Sequence, residues 1–350
     1  MGSVATRRSA LLFCVMFVLV GCQAQEDDVT DATDPADAED EAADVREMTI
    51  RLQSTFDEAN TPSTMGFKPF QDAVARHSDG AMEVEWTGGP EAINPFEIGQ
   101  SIGTGAFDVA MTSAAYYSDV VPESMVFIFS ERTPAEEREL GALERISEIH
   151  EEAIGGVVLG RAAYGHKYSF FSQDPIESTA DFEGRRFRST AGYQPVTDPL
   201  GVEAVVMPPG DLYTALERGV VEGYAWPNLG STDFGFEELV NYQILPEFYT
   251  GDVIFIVDLD FWEDLSPAEQ DVLIQAAQDV EEATPALYED AIAEEREAME
   301  EAGVEQIELS DPDAFLDIVS EATATWMREN VQPEELAEEL IELFIPGAEN

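Results

Sequence analysis

Residues 183–192 read EGRRFRSTAG and place Arg185, Arg186 and Arg188 within four consecutive positions. A guanidinium is a planar fork of N–H donors that matches the two oxygens of a carboxylate, so this segment is a candidate anion site. Read as a strand, it alternates: Phe187 faces the core, and Arg186 and Arg188 face the other way. The concentration is notable because the 350-residue chain has 17 basic residues against 73 acidic ones, a net charge of −56. Arg185 and Arg186 are expected to form surface salt bridges in the acidic coat. Other chemistries lack their signatures. There is no G-x-S-x-G elbow, no H-E-x-x-H and no phosphate loop. Paired carboxylates occur throughout and single out no glycosidase site. The three histidines are scattered, and the sequence assigns none of them a role.

Elements that could hold such a site follow from the patterning. MTIRLQST alternates as a strand, and TMGFKPFQDAVARHSDG reads as a helix with Phe67, Phe70 and Val74 on one face. AMEVEWTGG and GAFDVAMTSAAYY supply two more strands. Strand and helix in alternation predict a parallel α/β sheet, whose ligands bind at the carboxyl ends of strands. The loops at 88–95 and 112–117 fall at such ends. The pattern recurs in the middle of the chain, where Gly210-Asp211 is expected to cap a helix carrying Leu212 and Leu216. From Ser266 to Ala302 the sequence is helical throughout, with Pro285 inside; at 1.5 Å per residue it is roughly 50 Å long, enough to run across two lobes.

The charge excludes nucleic acid as a partner, since phosphate binding needs clustered Lys and Arg. It fits an acid-coated surface suited to high salt, where screening weakens self-repulsion. At the N-terminus, Arg7 and Arg8 precede an apolar run from Ala10 to Val20, too short for a comfortable membrane span and fitting a secretory signal. It ends in Leu19-Val20-Gly21-Cys22, which resembles the bacterial lipobox. That implies a signal peptide at 1–21 and lipidation of Cys22, and loss of Arg7 and Arg8 would take the net charge two lower, to −58. Cys14 lies in the discarded segment, which leaves no disulfide. Residues 22–46 are acidic and nearly free of large apolar residues, and are expected to form a disordered tether.

GRRFRSTAGYQPVTDPLGVEAVVMPPGDLYTALERGVVEGYAWPN resembles the hallmark segment of the DctP-like solute-binding proteins of tripartite ATP-independent periplasmic (TRAP) transporters. GGPEAINPFEIGQSIGTGAFDVAMTSAAYY resembles that family's first ligand loop, and the resemblance extends over about residues 48–345. It implies a two-lobe α/β fold of the periplasmic-binding-protein type, a ligand cleft between the lobes and a long lobe-spanning helix. The expected division is 47–168 plus about 250–286 for the first lobe, and 169–249 plus about 287–345 for the second. It further implies that the protein is no enzyme. It would capture a small organic acid and deliver it to the TRAP membrane subunits, from the periplasmic side, held to the membrane by its N-terminal lipid only. Service to an ATP-driven importer or a sensor kinase is the alternative reading, and a secreted hydrolase a more distant one.

The same resemblance assigns ligand contacts. Arg188 matches the arginine that pairs with the substrate carboxylate, and Trp226 matches a ligand-contacting position. Glu91, Ser113 and Tyr116 are carried over from the first lobe. Tyr168, or its neighbour Lys167, stands near a further polar contact. In the branch this chain resembles, a Glu precedes the Trp and helps hold a cation; here Ala225 replaces it, which puts a bound metal in doubt. Asp252 and Asp233 remain as candidate oxygen donors.

Overall fold

The computed structural model describes residues 45–251 and 253–349. Two sheets organise them. The first takes β1 (Met48–Ser54), β2 (Met82–Gly88), β3 (Val109–Ser113), β4 (Gly156–Arg161) and β10 (Val253–Asp258), in the order β2-β1-β3-β10-β4. The second takes β5 (Tyr168–Ser172), β6 (Arg186–Ser189), β7 (Glu203–Val206), β8 (Gly223–Pro227), β9 (Tyr242–Phe248) and β11 (Glu305–Glu308), in the order β11-β9-β5-β8-β6-β7. Both sheets are mixed. β1 pairs with β2 and β3 in parallel as expected, but β10 enters antiparallel to both β3 and β4. β5 likewise runs antiparallel between β8 and β9. The wholly parallel expectation fails here because these strands arrive from the other lobe, and local periodicity carries no strand direction.

The chain therefore crosses between the sheets repeatedly. One crossing is the segment 162–167, between β4 and β5, and another runs through 249–251, after β9. They run side by side: the N–H groups of Ala162 and Ala163 donate to Val253 O, and Gly251 N–H donates to His166 O. Gly251 is required there, since a Cβ would come within about 2.0 Å of the His166 ring.

Helices cover the sheets. α1 (Thr61–His77) buries Phe67, Phe70 and Val74 against the first sheet, and Phe70 stacks on Phe255 of β10 at 4.3 Å. α2 (Ala142–Ile154) backs β4. α3 (Pro209–Glu217) buries Leu212 and Leu216 in the second lobe. Its N-cap is Pro208, with Asp211 already inside the first turn, so the expected Gly210-Asp211 cap is displaced. A proline presets the extended backbone that an N-cap needs. α4 (Pro267–Glu301) begins at a capping box formed by Ser266 and Glu269 and continues through Pro285. Its start packs in the first-sheet core through Val272, Leu273 and Val280, and its end reaches Tyr224 and Phe236 of the second lobe through Met299.

α5 (Pro312–Asn330) starts against the second sheet with Phe315 and Val319 and ends in the first-sheet core with Ala324 and Met327. α6 (Glu334–Phe344) packs there entirely. Residues 287–345, expected with the second lobe, are thus shared between both cores. Arg46, expected in the tether, is anchored on the body: its backbone N–H and guanidinium both donate to Glu269. Among the described residues no helix is long and apolar enough to cross a membrane.

Candidate functional site

A cavity of about 50 Å³ lies where the two sheets meet, beyond the carboxyl ends of β1, β3, β6 and β8. The first lobe contributes Phe56 from the loop after β1, and Ser113, Ala115 and Tyr116 from the end of β3. The second contributes Tyr168 of β5, Arg188 of β6, Thr190 just after it, Tyr193, and Trp226 of β8. Tyr288 of α4 and His166 of the crossing segment 162–167 complete the lining. The walls are mainly aromatic, and no Asp or Glu lines the cavity among the described residues.

Arg188 carries the site's charge. It is 1% exposed. Its Nε–H donates to Met207 O at 3.2 Å, and its guanidinium carbon lies 5.1 Å from the centre of the Trp226 ring, a cation–π arrangement. Its Nη2 is buried and has no hydrogen-bond partner, and no carboxylate pairs with Arg188 among the described residues. A second equally buried arginine shows the contrast. Arg161 forms an ion pair with Glu137 and also donates to Phe127 O and Gly251 O. Leaving a buried cation without an acid is costly, so the open position on Arg188 is a feature that packing alone does not explain.

The aromatic walls hold this charge in place. Trp226 meets Phe234 edge-to-face at 5.5 Å, and Tyr168 meets Tyr193 at 5.7 Å. Thr190 follows Arg188 at a two-residue spacing on extended backbone, and its Oγ1 is also buried without a partner.

Of the residues expected at the site, Arg188, Trp226, Ser113, Tyr116 and Tyr168 all line this cavity. Lys167 is exposed, and its backbone N–H bonds to Asn228, so Tyr168 is the residue facing inward. Glu91 does not reach the cavity. It is exposed, and its carboxylate turns back to accept the N–H of Gly89 in its own glycine-rich turn. Asp233 is exposed and accepts the backbone N–H and hydroxyl of Thr61 at 2.6 and 3.1 Å. Ala225 is buried in β8 opposite Phe170. Asp252 and Cys22 lie outside the described residues. Arg185 pairs with Asp174 and Glu222 at the surface as expected, whereas Arg186 donates to Gly219 O. No group of three His, Cys, Asp or Glu suited to hold a metal occurs among the described residues.

His166 was not anticipated. It is 4% exposed, its ring meets Tyr288 edge-to-face at 5.2 Å and Tyr168 at 5.7 Å, and its Nδ1 is buried without a partner. Burial, and secondarily the nearby Arg161 charge, lower its pKa to about 4, so the imidazole is neutral near pH 7. The available sequence signal was its two-residue spacing from Tyr168 in GHKYSFFS.

The model for bacterial extracellular solute-binding protein family 7, DctP, matches residues 53–330. A solute-binding protein of Chromohalobacter salexigens is 26% identical over 273 residues, covering 73% of this chain and 77% of that protein. Among solved structures, a TRAP periplasmic solute-binding protein from Desulfovibrio salexigens with bound orotic acid superposes with a TM-score of 0.74 at 21% identity, over 84% of this chain and 96% of that one. Another, from Roseobacter denitrificans with bound L-galactonate, gives 0.69 at 22% identity, over 85% and 99%. The two-lobe architecture, the ordered motifs and the family match agree, and the chain belongs to the DctP family of extracellular solute-binding proteins.

Proposed function

We propose that this protein captures a small organic acid between its lobes, with Arg188 as the carboxylate anchor, and presents it to TRAP membrane subunits. The unpartnered, buried Nη2 of Arg188, in an aromatic cavity that no acid lines among the described residues, carries the reading. A carboxylate entering there supplies the missing counter-charge and a planar partner for the fork. Trp226 stacks over the guanidinium; Ser113, Tyr116 and Tyr168 shape the opposite walls. The protein acts as a binder and not as a catalyst. Binding is expected to proceed without a cation, because a methyl group at Ala225 offers no ligand to one. The body is extracytoplasmic and is held to the membrane by lipid on Cys22; Cys22→Ser is expected to release it into the soluble fraction, and unchanged membrane association would refute the anchor.

The test is titration calorimetry against organic acids. Removing one partner of a desolvated, hydrogen-bonded charge pair costs roughly 2–5 kcal/mol, about 30- to several-thousand-fold in affinity. Arg188→Ala is expected to lose binding on that scale while its circular dichroism stays native. Arg188→Lys should also bind poorly, since a point charge cannot reproduce the fork. Near-wild-type affinity in the alanine variant would end the assignment.

A further inference from the structure

We propose that His166 is a ligand-binding residue that sets specificity, selecting monocarboxylates that carry a neutral hydrogen-bonding group remote from the carboxylate. The inference rests on Arg188 being the carboxylate anchor and adds the other end of the ligand. Three of the lining residues carry a buried polar atom without a partner: Arg188 Nη2, Thr190 Oγ1 and His166 Nδ1. Arg188 lies in β6, and Thr190 follows its last residue. His166 lies before β5, and β8 stands between β5 and β6. Two interstrand spacings, roughly 10 Å, therefore separate the backbones of β5 and β6 across the sheet. Between them the lining is apolar or aromatic, with Trp226, Tyr168, Tyr193 and Leu229 in the walls.

Three neighbours hold the imidazole in place. Tyr288 and Tyr168 pack against its ring, and Gly251 passes so close that no side chain fits beside it. A fixed neutral imidazole can donate from one nitrogen and accept at the other. It can thus read a lactam, amide or hydroxyl group; it offers no charge to neutralise a second carboxylate and no hydrogen-bond partner to an alkyl end. With one cation and no anion in the lining among the described residues, the chemistry fits a ligand with a single negative charge and no ammonium group. The volume, about 50 Å³, is room for about three to five waters, which favours a short or single-ring acid.

Matched pairs test this. Wild-type protein is titrated with pyroglutamate against cyclopentanecarboxylate, and with 4-hydroxybutanoate against butanoate. Each pair shares the carboxylate and differs in the remote polar group. A buried polar group left unpaired rejects the plain analogue, so a preference of about tenfold or more is expected in at least one pair. His166→Phe should bring that ratio toward one, as should the smaller His166→Leu if the phenylalanine variant does not fold. His166→Gln, which keeps an amide, should retain part of it. Arg188-dependent binding without discrimination, or discrimination that survives both apolar variants, overturns the role of His166 and leaves the anchor intact. Binding of none of the four acids, or binding indifferent to Arg188→Ala, refutes the anchor reading itself and this inference with it.

Discussion

Asp233 belongs to the second lobe, yet its carboxylate sits on the N-terminus of α1 in the first. Asn60, the N-cap residue of α1, makes no side-chain cap hydrogen bond, and Asp233 accepts from Thr61 in its place. The contact can exist only while the lobes are together. A helix N-cap contributes about 0.5–2 kcal/mol and a charge beside a helix N-terminus about 0.3–1 kcal/mol. Asp233 is exposed, so the lower part of that range applies, about 1 kcal/mol for the whole contact. Where the free protein rests open and ligand binds the closed form, stability removed from the closed form is removed from affinity. Asp233→Ala is therefore expected to weaken binding about fivefold, mainly through faster release. Asp233→Asn keeps an acceptor oxygen and should lose about twofold. The loss should be the same for every acid bound, because Asp233 does not line the cavity. It should shrink in molar salt, where screening is strong. Calorimetry gives the affinities, and stopped-flow fluorescence gives the release rates. Unchanged affinity and release in the alanine variant, or a loss that varies from acid to acid, would refute the latch.

Two further outcomes follow from groups buried elsewhere. His150 donates through Nδ1 to Ile146 O and meets the Tyr117 hydroxyl through Nε2; burial lowers its pKa to about 4, as it does for His166. Both histidines take up protons more readily when unfolded, so their contribution is complete above about pH 6.5 and is lost as pH falls toward 4. Each can account for up to about 3 kcal/mol. Thermal midpoints measured across that window should fall, and His150→Phe should flatten part of the slope; a flat wild-type profile would contradict the burial argument. The Arg161–Glu137 pair is the second case: Glu137→Leu strands a buried guanidinium, at a cost of about 3–5 kcal/mol. Its melting midpoint should drop by on the order of 10 °C, and a drop of only a degree or two would mean that Arg161 finds another acid.

Much of the site was legible because it depends on local rules. Period-two alternation in RRFR separated buried Phe187 from the Arg188 face, while Trp226 was reached through the family resemblance. The long helix was bounded by Ser266 and Ala302, which are its caps. What stayed hidden depends on the chain folding back across itself. The insertion of β10 between β3 and β4 joins segments about 100–150 residues apart, and no local pattern encodes it. His166 gains its role from a neighbour on the other crossing, Gly251, and from Tyr288 on α4. Glu91 was misplaced because a carboxylate beside a glycine turn has its own backbone N–H to satisfy, and Gly89 captured it.

The strand order of the first sheet also governs when the protein can mature. Synthesis delivers β1 to β4 by residue 161, but β3 and β4 touch only through β10, which ends at Asp258. Until then both present unpaired edges, and the α6 residues that complete the same core arrive only near the C-terminus. No N-terminal fragment short of that point holds a finished lobe. The interleaving of two lobes thus ties completion of the first core to residues beyond 330, so stable packing there must wait until nearly all of the chain has been made.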